Sequence, residues 1–203
     1  MSTMQRRLPV YLVVDCSESM AGDSIASVAT GIEALVKALM GNPTALETCW
    51  LSVITFSKTA AQVVPLTELM DFKPPRLSVR TGTSLGAAIK LLIDCLEREI
   101  TATTEEVKGD YRALVFLMTD GQPTDNWEPA VEKLRARPVS KKIANLYTIG
   151  CGQDVDLDIL RRISDIVLWL NELTPAKIQK LFVWLSASVK RASETGNKDV
   201  KPE

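Results

Sequence analysis

The sequence predicts one α/β domain with a doubly wound, mostly parallel sheet, one short antiparallel edge strand and helices on both faces. Three observations carry this. Short apolar, β-branched runs recur along the chain without alternating polarity, as in strands buried on both faces. Segments with apolar residues at i, i+3, i+4 spacing separate them, which is the pattern of helices packed on a sheet. The length, 203 residues, suits a single core.

The elements follow in order. Leu8 to Val14 is the first strand, ending at Asp15. Ser24 to Met40 is a helix, with Ile25, Val28, Ala29, Ile32, Leu35, Val36 and Leu39 on one face, and Gly41 and Pro43 stop it. Cys49 to Phe56 is the second strand. Only a short turn at Ser57-Lys58 separates it from a weaker extended piece, Ala60 to Leu66, which places that piece antiparallel at the sheet edge. Thr67 to Val79, with Pro74-Pro75, is a loop. Ser84 to Ile100 is the next helix, and Ala113 to Met118 the next strand. Glu128 to Arg137 is a helix closed by Pro138, Ala144 to Ile149 a strand, Asp156 to Ile163 a helix, and Ile166 to Leu170 the last strand. Thr174 caps a final helix with Pro175 at its first position. Its apolar residues are Ile178, Leu181, Phe182, Leu185 and Val189. The domain is expected over residues 1–190, with a mobile polar tail over 191–203.

Composition narrows the function. Hydrophobic residues are 46% and charged residues 24%, and the net charge is −1, so no broad attraction to nucleic acid or membrane surfaces is expected. No run approaches the roughly 20 apolar residues that cross a bilayer. The start of the chain lacks the long apolar stretch of a secretory leader, which predicts a cytoplasmic protein. Cys16, Cys49, Cys95 and Cys151 lie far apart in apolar segments and read as buried free thiols. There is no histidine, which removes the Ser-His-Asp triad and every His-based zinc site.

In an open parallel sheet, ligands gather beyond the carboxyl ends of the strands. Three polar clusters belong there: Asp15-Cys16-Ser17-Glu18-Ser19, Thr81-Gly82-Thr83-Ser84 and Thr119-Asp120-Gly121. Ser17, Ser19 and Thr83 offer hydroxyls, and Asp15 and Asp120 offer carboxylates. This all-oxygen set suits Mg²⁺, with Mn²⁺ or Ca²⁺ as alternatives. Gly82 and Gly121 suit tight backbone paths beside it. The first cluster alone reads first as a helix cap; the three in this order favour a metal.

These residues resemble the metal-ion-dependent adhesion site of von Willebrand factor type A domains, and the likeness covers roughly Leu8 to Val189. The resemblance implies that Ser17, Ser19 and Thr83 hold the ion directly and that Asp15 and Asp120 act directly or through water. Glu18 and Thr81 stand where glycines are common in the family. The runs Val14 to Met20 and Thr119 to Asp125 look most like TerY-type bacterial proteins of tellurite-resistance clusters. That likeness implies a non-enzymatic scaffold or client in a stress-response phosphorylation system. Its partners would be a protein supplying a carboxylate to the metal, a Ser/Thr kinase and a PP2C-like phosphatase.

Two other functions compete. An aspartate ending a first strand also begins the haloacid dehalogenase motif, but Ser17 stands where that metal-dependent phosphohydrolase chemistry needs a second aspartate. A structural subunit with a vestigial site is the other. Among single residues, Trp50 and Trp169 are expected in the core and Trp127 as a contact beside the metal loop. Asp125 and Asn126 read first as turn and capping residues. Ser193 and Thr195 are the accessible hydroxyls for phosphorylation.

Overall fold

The computed structural model describes residues 6–106, 108–120, 122–137 and 145–195. Gly121, Pro138, Ala144 and the tail beyond Thr195, each assigned a role from the sequence, lie outside the described residues.

Among the described residues six strands form one sheet: β1 (Leu8–Asp15), β2 (Cys49–Phe56), β3 (Ala60–Glu68), β4 (Leu114–Thr119), β5 (Asn145–Cys151) and β6 (Ile166–Leu170). Their order is β3-β2-β1-β4-β5-β6, and only the β2–β3 pair is antiparallel. Edge strand β3 pairs through two register irregularities and carries Pro65, which a central strand would not tolerate. The chain winds outward from β1 to β3, then restarts at β4 on the other side of β1. The carboxyl ends of β1 and β4 therefore flank the point where the winding reverses, with Val14 beside Met118.

The helices are α1 (Asp23–Met40), α2 (Pro43–Thr48), α3 (Leu85–Glu99), α4 (Glu128–Arg135), α5 (Leu157–Ile163) and α6 (Pro175–Thr195). One face of the sheet packs α1, α2 and α6 around Leu12, Val14, Phe116 and Ile149. The other packs α3, α4 and α5 around Tyr11, Val13, Val115 and Leu117. Successive residues of β1 thus enter opposite cores, the period of two that an extended chain imposes. No helix among the described residues is long and apolar enough to cross a membrane.

Four sequence expectations need correction here. Pro43 begins a helix as well as ending one: the Asn42 side chain accepts from the Ala45 N–H at 2.8 Å, and Pro43 takes the first turn of α2. The last helix runs past Arg191 to Thr195, burying Ala192 and Ser193. Its polar residues are tolerated because their hydroxyls bond their own helix: Ser186 donates to the Phe182 carbonyl and Ser193 to that of Lys190, both at 2.7 Å. Ser193 is therefore buried, and Thr195 is the exposed one of the two. Trp169 is 53% exposed because β6 is a sheet edge, while Trp50 is half-buried with the Arg7 guanidinium 4.8 Å from its ring centre.

Candidate metal centre

At the end of β1 the chain turns through a single 3-10 turn, Glu18–Met20, held by the Met20 and Ala21 N–H groups donating to the Ser17 and Glu18 carbonyls. Met20 is fully buried and pins the turn. The turn sets the Ser17 and Ser19 hydroxyls 3.0 Å apart. Ser19 in turn donates to a carboxylate oxygen of Asp120, just beyond β4. The Asp15 carboxylate accepts from the Ser17 N–H at 2.9 Å and from the Thr119 hydroxyl at 2.7 Å. Asp15, Ser17, Ser19 and Asp120 thus form one connected group at the reversal point.

Asp15 is fully buried, and that burial pushes its carboxyl up to about 6. The bonds from Ser17 and Thr119 pull it down, and the neighbouring charge of Asp120 pushes it further up. Among the described residues no basic side chain pairs with either carboxylate. Among the described residues two acids converge without a basic partner, which is costly unless a cation is supplied.

Thr83 reaches this rim from the β3–α3 connection. Gly82, at φ +82°, turns the chain into it, and a side chain there would meet the Lys58 backbone at 3.3 Å. Backbone bonds from Lys58 to Thr81 and from Arg80 to Cys16, both 2.8 Å, tie the connection to the ends of β2 and β1. Thr83 and Thr124 exchange two bonds: the Thr83 N–H donates to the Thr124 hydroxyl at 3.1 Å, and the Thr124 N–H to the Thr83 carbonyl at 2.8 Å. Thr83 is buried, yet among the described residues its hydroxyl makes no hydrogen bond. Burying a hydroxyl without a partner costs about 1–3 kcal/mol, so this oxygen is free to take a ligand. Together with the two carboxylates, this donor set fits a hard cation. Among the described residues no three or more His, Cys, Asp or Glu side chains cluster as a metal site would. Only two of the five donors here are acids.

The sequence matches the von Willebrand factor type A domain over residues 10–168. The chain belongs to the von Willebrand factor type A family. Solved structures with the same fold include proximal thread matrix protein 1 from the mussel byssus, with a zinc-occupied MIDAS motif. It is 19% identical, with 91% of this chain and 48% of that chain covered and a TM-score of 0.62. The ArnB paralogue VWA2 of Sulfolobus acidocaldarius is 19% identical over 91% of this chain and 46% of that one, at a TM-score of 0.63. The pilus adhesin SpaC of Lactobacillus rhamnosus GG is 14% identical over 92% and 30%, at 0.70. The chain spans less than half the length of each, and at these identities the likeness is one of fold. No curated protein matches the sequence.

In this von Willebrand factor type A domain two further residues position the rim. Asp125 accepts from the Gly86 and Ala87 N–H groups, both at 3.0 Å, and so caps α3 from a distance. Ser84, the residue at the cap position, spends its hydroxyl on the Lys58 carbonyl instead. Gly86 permits this approach, since a side chain there would lie 2.9 Å from the Asn126 carbonyl and the Trp127 backbone. Trp127, expected as a surface contact, is buried in the α3–α4 core with the Arg162 guanidinium 4.7 Å from its ring centre. All four cysteines are buried and free.

Proposed function

We propose that Asp15, Ser17, Ser19, Thr83 and Asp120 hold one hard divalent cation, Mg²⁺ or else Mn²⁺ or Ca²⁺, through which the domain binds a carboxylate of a protein partner. The single observation that carries this is the Thr83 hydroxyl, which makes no hydrogen bond among the described residues, on a connection bonded to the Cys16 backbone and to Thr124, beside two carboxylates that pair with no described basic side chain. When bound, the cation supplies a Lewis-acidic position at which a partner's carboxylate completes the shell. Ser17 and Ser19 present neutral oxygens from one rigid turn. Thr119 and the Ser17 N–H orient Asp15, and the Gln122 N–H orients Asp120 at 3.2 Å. The zinc-occupied MIDAS motif of the mussel protein supports a cation at this place in the fold. An all-oxygen donor set here favours harder ions than zinc.

The narrower setting we propose is a bacterial tellurite-resistance or stress-response phosphorylation system, with a Ser/Thr kinase and a PP2C-like phosphatase among the partners. It is carried by the runs Val14 to Met20 and Thr119 to Asp125 alone. The test is co-purification from cells with the wild type, Asp15→Ala and Asp120→Ala, with Mg²⁺ or excess chelator. A partner captured only by the wild type in Mg²⁺ is the expected result. Equal capture in chelator would end the cation-dependent reading, and the identity of the captured protein decides the setting.

A further inference from the structure

The connection before Thr83 carries two arginines that the cation site leaves unused. Residues 73–81 contain no helix or strand, and burial alternates over 74–80. Leu77 packs against the core, while Arg76, Ser78 and Arg80 stay exposed. With Cys16, Ser57 and Thr59 these three line a cavity of about 110 Å³. That is the volume of three to four waters, enough for one oxyanion group and far below a drug-sized site. Among the described residues no acidic side chain lines it. Among the described residues neither Arg76 nor Arg80 makes an ion pair, and neither does Lys58, exposed on the adjoining turn. An unpaired guanidinium beside hydroxyl donors is suited to bidentate capture of an oxyanion.

The cavity shares its wall with the metal rim. Cys16 lies between Asp15 and Ser17, and its carbonyl accepts from the Arg80 N–H at 2.8 Å. The Ser57 carbonyl accepts from the N–H of Ser84, next to Thr83, at 2.7 Å. Three residues of extended chain, about 10 Å at most, separate Arg80 from Thr83.

We propose that the Arg76–Arg80 pocket is a second anchor, which binds an acidic side chain of the same partner segment whose carboxylate meets the cation. The partner it fits presents two or more carboxylates within a few residues of one another. The joint geometry rests on the proposed cation site, whereas the pocket's own affinity for carboxylate does not.

The probe is fluorescein-labelled hexaglutamate, measured by anisotropy at low salt in Mg²⁺, with Mn²⁺ affinity measured separately by calorimetry. Arg76→Gln with Arg80→Gln is expected to weaken hexaglutamate binding at least tenfold and leave Mn²⁺ affinity unchanged; both side chains are exposed, so the fold is retained. Equal hexaglutamate affinity in wild type and double variant overturns the proposal. So does a wild type that binds Mn²⁺ but no hexaglutamate, or one that prefers a phosphoserine peptide to it. If Mn²⁺ does not bind while hexaglutamate still depends on Arg76 and Arg80, the pocket stands and the cation site falls.

Discussion

The carboxylate of Asp125 spans the gap between two loops to cap the helix that begins beside Gly86, with the Gly86 N–H donating to it at 3.0 Å. The second oxygen takes the Ala87 N–H at the same distance. One side chain thereby locks the segment carrying Thr83 to the segment carrying Asp120. Asp125→Ala is expected to cost about 1–2 kcal/mol in urea unfolding, the range for a lost cap. Gly86→Ala, which forces Cβ against backbone at 2.9 Å, should cost about 1–3 kcal/mol. Both should weaken cation binding in calorimetry although neither residue is a proposed ligand.

Such a cap shows where the sequence was readable. Every strand and the five longer helices follow from apolar periodicity, because burial against a sheet forces those periods. The antiparallel edge at β3 follows from the short turn at Ser57-Lys58. Asp15, Ser17, Ser19 and Asp120 were legible as strand-end clusters, and the sheet order brings them together. Asp125 was legible only as a capping residue; its helix, 39 residues earlier, was not. The burial of Trp127 was hidden likewise, since it depends on how closely α3 approaches at Gly86. Asn42-Pro43 carried a helix-start signal that the adjacent Gly41 masked.

Gly31 of α1 faces the ring of Phe182 in α6 so closely that a Cβ would lie 2.2 Å from the ring edge. Alanine improves helix propensity by roughly 1 kcal/mol, but this clash outweighs it. Gly31→Ala is expected to destabilise by about 1–3 kcal/mol net in chemical denaturation. A double-mutant cycle with Phe182→Leu should recover part of that loss, because the smaller side chain vacates the space.

Trp127 separates a core role from a contact role. As a buried indole between α3 and α4, its replacement by alanine should cost about 3–5 kcal/mol. Arg162→Gln, which removes the cation–π contact and an exposed 3.6 Å ion pair with Glu128, should cost no more than about 1 kcal/mol. Thermal melts of both variants check this. Unchanged stability in Trp127→Ala would return the residue to the surface.

Thermal melting of Thr83→Ala beside the wild type, each in chelator and in Mg²⁺ at 100 times its dissociation constant, tests the cation site most directly. Without metal the variant should match or slightly exceed the wild type, because the hydroxyl it loses bonds nothing among the described residues. In Mg²⁺ the wild type should gain about 2.7 kcal/mol, or roughly 5–10 °C for a chain of this size, and the variant should gain nothing at the same concentration. An equal Mg²⁺ shift in both proteins, or none in the wild type, would contradict the account.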